Sequence, residues 1–172
     1  MGEITLMPSK HAFLKMNLMK IFDLLILPNI SITEDDHNEY EDDADAYIRN
    51  DLEESDVETR RRHCMKFVQQ LSKKFPEEVG SLVGNYVDKY LVDYAANRDS
   101  QWTKKTTLLN LLITASISSY TYKSGATDLK IPEAALFGYI QNLVVPELQE
   151  DEIDNLPLLK ATCIKFVYMF RN

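Results

Sequence analysis

The stretch Ser55–Ala96, SDVETRRRHCMKFVQQLSKKFPEEVGSLVGNYVDKYLVDYAA, carries two apolar stripes of helical period, one on each side of a proline. Before Pro76, the residues Val57, Cys64, Val68, Leu71 and Phe75 fall on one helix face. After it, Val79, Leu82, Val83, Tyr86, Val87, Tyr90, Leu91 and Tyr94 do the same. Pro76 breaks the first helix and suits the first turn of the second, so the spacing predicts an antiparallel helical hairpin.

Upstream, YIRNDLEESDVETRRR (Tyr47–Arg62) runs from acids into three arginines. Ser55 followed three residues later by Glu58 has the spacing of a capping box, in which a hydroxyl and a carboxylate each satisfy a backbone N–H at a helix start. Glu53, Glu54, Asp56 and Glu58 then sit at the positive end of the helix dipole, and Glu58 and Arg62 are spaced as an i,i+4 pair. This order predicts a helix that starts near Ser55 and runs to about Lys74. Arg60, Arg61 and Arg62 are read chiefly as partners of acids within and between helix pairs.

The remaining segments follow the same alternation. Ser9–Leu27 is expected to be one helix with a single apolar stripe, closed by Pro28-Asn29. Residues 29–54 are expected to form an exposed acidic insertion or long loop, too polar to bury itself. Trp102 to about Tyr122 reads as a third long helix, and KSGATDL (Lys123–Leu129) as a loop. Pro132 is placed at the opening of another helix that Pro146 kinks or splits, and Pro157 at the opening of the last one.

The chain has 172 residues, 45% of them hydrophobic, and only five glycines. That composition supports one buried core or a short stack of helix pairs, and the fold class expected is all-α. Helix starts near 56, 101 and 156 give a loose spacing close to that of HEAT-type repeats, with a plain bundle as the alternative. The terminal run CIKFVYMFRN lacks a Gly, Pro or polar stop and is apolar nearly all round, which favours a piece of a longer α-solenoid over a closed bundle. Residues 1–172 are therefore expected to be a single block of HEAT-type repeats.

The net charge of -8 is a local property. Residues 34 to 58 hold 13 of the 27 acids and one base, Arg49, so the rest of the chain carries 18 Lys and Arg against 14 Asp and Glu. A clustered basic face for nucleic acid is not visible, and no membrane insertion is expected, because the apolar run Phe13–Leu27 is interrupted by Lys15, Lys20 and Asp23 and is too short to span. MGEITLMPSK has no signal-peptide pattern, and Leu6 stands where myristoylation wants Ser or Thr. Cys64 and Cys163 are far apart and read as buried thiols of a reducing compartment. Neither they nor the three histidines have metal-ligand spacing, DDADAYIRNDLE lacks the glycine and terminal Glu of a calcium loop, and no phosphate-binding glycine loop is present. No catalytic, cofactor or metal residues are assigned.

Several segments resemble, in order, the importin-α re-exporters (exportin-2 family) of the importin-β superfamily of HEAT-repeat receptors. They are LPNISITEDDHNEYEDD, YIRNDLEESDVETRRR, NRDSQWTKKT, VVPELQ and LPLLKATCIKFVYMFRN, covering the chain from about Leu14 to Asn172. Asn50 stands where a second basic residue follows Arg49 in the family pattern, and Glu54 where the pattern has Gly. The resemblance implies stacked antiparallel helix pairs and a function without chemistry: binding importin-α together with Ran-GTP for export from nucleus to cytoplasm. It also implies contacts with nuclear pore proteins and shuttling through the nuclear envelope. Candidate protein-binding residues are Asp35, Asp36, Glu39, Glu41, Asp42, Asp43, Asp45, Arg60 and Arg61, an acidic surface suited to a basic partner. The alternatives are a generic importin-β-type scaffold with a different cargo and a small all-α enzyme whose insertion acids converge on a metal.

Overall fold

A computed structural model describes residues 8–52, 59–121, 123–152 and 155–172. Its elements in chain order are α1 (Pro8–Met16), α2 (Leu18–Ile21), α3 (Leu27–Ile30), α4 (Glu34–Asp42), α5 (Ala44–Leu52), α6 (Arg60–Lys74), α7 (Pro76–Ala96) and α8 (Arg98–Ser116). They continue with β1 (Ile117–Thr121), β2 (Gly125–Leu129), α9 (Glu133–Tyr139), α10 (Val145–Leu148) and α11 (Pro157–Met169). The architecture is all-α with one small β-hairpin.

α6 and α7 form the expected hairpin around Phe75-Pro76. Cys64, Val68, Leu71, Val79, Val83, Tyr86 and Val87 are buried along the two facing stripes. The centre of the molecule is α8, packed against α6, α7 and α11. Leu108, Leu109, Leu111, Leu112 and Ile113 are all buried on it, as are Thr106, Thr107 and Asn110, so this part of the helix is enclosed on every side where the others bury one stripe. Several of its buried polar side chains turn back on the helix itself. Thr107 Oγ1 donates to the Thr103 carbonyl at 2.8 Å, Asn110 Nδ2 to Thr106 at 3.1 Å and Thr114 Oγ1 to Asn110 at 2.7 Å.

Prolines shape two other helices by one device. A π-helical turn, Phe22–Ile26, joins α2 to α3 just ahead of Pro28, and a second, Ile140–Val144, joins α9 to α10 just ahead of Pro146. Proline lacks an N–H and its ring clashes with the carbonyl four residues back, so a widened turn lets the helix run on. The expected stop at Pro28-Asn29 is therefore corrected: the helix passes through it to Ile30, and its break lies earlier, at Asn17.

Three further expectations change: the acidic loop, the bounds of the third long helix and the loop at Lys123–Leu129. The acidic span expected to be a loop contains two helices, α4 and α5. α6 is capped by Thr59, whose Oγ1 accepts from Arg62 N at 3.2 Å, while the Ser55–Glu58 capping box lies outside the described residues. The third long helix starts earlier and ends sooner than expected. It begins at Arg98, with Asn97 Oδ1 accepting from Ser100 N at 3.2 Å, and it stops at Ser116, where Ile-Ser-Ser-Tyr-Thr, rich in β-branched and aromatic residues, continues as β1. The expected loop Lys123–Leu129 holds β2. The two strands pair antiparallel with Ile117 opposite Leu129 and Thr121 opposite Gly125. Gly125 has φ +73, and a Cβ there would lie 2.6 Å from the Met169 carbonyl, so only glycine lets the hairpin seat on the end of α11.

Leu109 is fully buried on α8. Leu109→Ala is expected to cost about 2–5 kcal/mol in urea unfolding; a loss below about 1 kcal/mol would contradict the central position of α8.

Candidate functional site

The acidic helices α4 and α5 lie against the body through charge. Neither contains a fully buried residue, yet two of their carboxylates reach inward. Asp36 Oδ2 accepts from Thr33 N and Oγ1, both at 2.8 Å, which closes the first turn of α4. The same carboxylate receives Arg61 Nη2 at 2.6 Å and Arg60 Nη2 at 3.0 Å. Asp51, at the end of α5, receives Lys165 Nζ of α11 at 2.9 Å and Arg61 Nη1 at 3.3 Å. Arg61 also donates to the Ile30 carbonyl and the Tyr47 hydroxyl, each at 3.3 Å. Arg60 donates to the Pro28 carbonyl at 2.8 Å and Arg62 to the Asn50 carbonyl at 2.7 Å. One guanidinium, 7% exposed, thus ties α3, α4 and α5 to α6, and Lys165, 8% exposed, adds α11.

Burial alone would raise the Asp51 pKa, but the charges of Lys165 and Arg61 outweigh it and hold the carboxyl below its ordinary value. Asp36 behaves alike: burial opposes ionisation, while Arg61 and the Thr33 donors hold the pKa down. Burial pushes the Tyr47 hydroxyl up to about 12, so it stays protonated as a donor to Asp36.

The other candidate acids point elsewhere. Asp35, Glu39, Glu41, Asp42, Asp43 and Asp45 are exposed on α4 and α5 and at the turn between them. Asp43 Oδ1 caps α5 by accepting from Ala46 N at 2.9 Å. The candidate set therefore divides into two groups. Asp36, Arg60 and Arg61 join one another, and six acids form a solvent-facing surface. Asp51, Tyr47 and Lys165 were missed as partners, although Lys165 within the apolar run LLKATCIKFVYM is a signal, because a lone charge on a buried helix needs an opposite one.

A second charge cluster ties α7, α8 and α10. The buried Glu147 carboxylate accepts from Lys105 Nζ at 2.6 Å, Arg98 Nη2 at 3.0 Å and the Tyr94 hydroxyl at 2.9 Å, and Arg98 also pairs with Glu150. Both clusters pair their charges internally. Burial pushes Cys64 up to about 11 and Cys163 up to about 12, so neither is a thiolate at neutral pH. Among the described residues no group of three or more His, Cys, Asp and Glu is placed to hold a metal ion. No single helix among them is long and apolar enough to cross a membrane.

Stacked antiparallel helix pairs with an acidic outer surface define a helical-repeat protein of the HEAT-like solenoid class. The chain belongs to the Cse1 family, whose model matches residues 5–172. It is 33% identical over 159 residues to exportin-2 of Drosophila melanogaster, covering 90% of this chain and 16% of that protein. Against exportin-2 of Oreochromis niloticus the identity is 34% over 164 residues, covering 95% and 17%. Among solved structures it is similar to the exportin Cse1 in its cargo-free, cytoplasmic state, with a TM-score of 0.87 and 26% identity over 96% of this chain and 18% of that one. The chain thus spans 16% to 18% of the length of these relatives.

The ion pairs of Asp36, Arg61, Asp51 and Lys165 form a clamp between the acidic helices and the body, and this clamp has a pH signature. The folded pKa values of Asp36 and Asp51 lie below their unfolded value of about 3.9, so their stabilisation is fully present above that value and is lost as pH falls through the folded values. Asp51→Asn is expected to lower the melting temperature at pH 7 and pH 5, with the gap to the parent closing towards pH 3. A gap that persists unchanged at pH 3 would contradict the ion-paired state of Asp51.

Proposed function

We propose that this chain is a helical-repeat segment of a nuclear export receptor that binds importin-α together with Ran-GTP and shuttles between nucleus and cytoplasm. The observation that carries the reading is the likeness to an exportin along 96% of the chain, at a TM-score of 0.87. The role asks for binding and no chemistry. In such a receptor cargo and Ran-GTP each raise the other's affinity by the same factor, which a stack of rigid helix pairs transmits through its shape.

Two surface features fit this role. Phe13, Met16, Met19, Leu24 and Leu25 leave an apolar strip uncovered, the surface one repeat offers to the next. The six exposed acids of α4, α5 and their turn offer a docking face for a basic partner segment, attached to the body by the buried Asp36–Arg61–Asp51–Lys165 clamp. Asp36 and Arg61 belong to the clamp, and Arg60 stays partly exposed at its edge.

The test is surface plasmon resonance of the immobilised chain against importin-α, with and without Ran-GTP. A variant in which Glu39 and Glu41 become Gln and Asp42 and Asp45 become Asn should bind importin-α about tenfold more weakly, equivalent to about 1.4 kcal/mol. It should keep the parent's melting curve, because the clamp is untouched. Equal affinity of parent and variant would overturn the docking role of the acids. Failure of the parent to bind importin-α in both conditions would overturn the cargo-binding reading for this segment.

A further inference from the structure

A groove of about 670 Å3 runs between α7 and α9 with α8 as its floor. None of its lining residues belongs to the acidic helices or to either charge cluster. One wall is the face of α7 from Pro76 to Leu91, whose 15 residue steps span roughly 22 Å. That length matches about six or seven residues of extended chain.

Three features mark the groove as a built one. Gly80 and Gly84 on α7 and Gly138 on α9 all line it, and a Cβ added at any of them would meet no atom within 4 Å. Helix-interior glycine costs roughly 0.5–1 kcal/mol relative to alanine, so packing inside the molecule gives no reason for three of them. Their effect is to widen the groove and to let an occupant approach the backbone of both walls.

Secondly, Ser72 is 6% exposed, lines the groove, and its Oγ makes no hydrogen bond among the described residues. A buried hydroxyl left unmatched is costly. Thirdly, the lining is charged at its two ends with opposite signs. Lys130 lies with Ser72 and Pro76 at the start of α7, next to the Ser116 carbonyl that receives its N–H at 2.8 Å. No acid among the described residues forms a salt bridge with it, and Lys73 is close enough to repel it. Asp88 lies towards the other end, near Leu91 and Asn142.

We infer that the α7–α9 groove is a docking site for a short apolar peptide segment of another protein, about six residues long, that carries a carboxylate at the end facing Lys130 and a basic group at the end facing Asp88. Val83, Val87, Leu91 and Tyr139 supply the apolar contact, the glycines the close approach, and the two charges the direction of the bound segment. This goes beyond the transport reading, because it concerns a site distinct from the acidic face and a partner of different chemistry.

The probe is a panel of fluorescein-labelled heptapeptides with five Leu, Ile or Ala residues flanked by Asp and Lys in either order, and by Asp or Lys at both ends. Binding to the 172-residue chain is read by fluorescence anisotropy. Asp/Lys-flanked peptides are expected to bind more tightly than the doubly basic ones, and Lys130→Glu should reverse that preference. Gly84→Leu should abolish binding and, since the added side chain points into open space on a helix, leave the melting temperature unchanged or raised. Gly84→Ala, which fills less of the groove, should weaken binding partway. No binding by any peptide up to millimolar concentration, or binding that survives Gly84→Leu unchanged, would overturn the site. None of these outcomes bears on importin-α binding by the acidic face.

Discussion

The arginine at position 61 is the contact on which the arrangement of this chain depends. Its guanidinium sits among Asp36, Asp51, Tyr47 and the Ile30 carbonyl, and so fixes three consecutive helices to a fourth. A guanidinium suits this position because its planar fork donates in several directions at once and stays charged when buried. A buried cation with two carboxylates is stable only while all the partners stay in place; removing one leaves an uncompensated charge. The second cluster, around Glu147, repeats the logic at the other side of α8 and ties α7 to α10.

This division of labour accounts for the unusual surface. Apolar burial on α6, α7, α8 and α11 builds the body, while α4 and α5 contribute no fully buried residue and are held by ion pairs. The arrangement leaves α4 and α5 free to present acids outward without weakening the core. A surface of like charge is unfavourable by itself, and the inward-facing Asp36 and Asp51, matched with Arg60, Arg61 and Lys165, offset it where the helices meet the body.

Much of the fold was legible because helical periodicity survives where one face is buried. The stripe from Val79 to Tyr94 and the break at Pro76 place α6 and α7 correctly, and Pro157 does open α11. Two kinds of feature were hidden. The first is local: Pro28 reads as a stop because the widening of the turn from Phe22 to Ile26 has no sequence period of its own, and the strands at 117–129 are five residues each, too short and too polar to show a period beside the long helix that precedes them. The second is long-range. Thirteen acids with one base between 34 and 58 look like solvated loop, since the cations that fold them, Arg61 and Lys165, lie outside the span, one of them 114 residues from its partner. The candidate residues were therefore chosen by charge, and only the structure separates the clamping Asp36 from the six acids that face solvent and adds Asp51 to it.

Charge, in place of full apolar burial, holds the acidic helices to the body. Hydrogen–deuterium exchange resolved by peptide, comparing the parent with Arg61→Met at pH 7, tests this directly. Loss of the clamp is expected to speed exchange across α4 and α5 while α7 and α8 remain protected. If exchange in residues 34–52 is unchanged, or if α8 opens together with them, the acidic helices are held by something other than the clamp and the account is wrong.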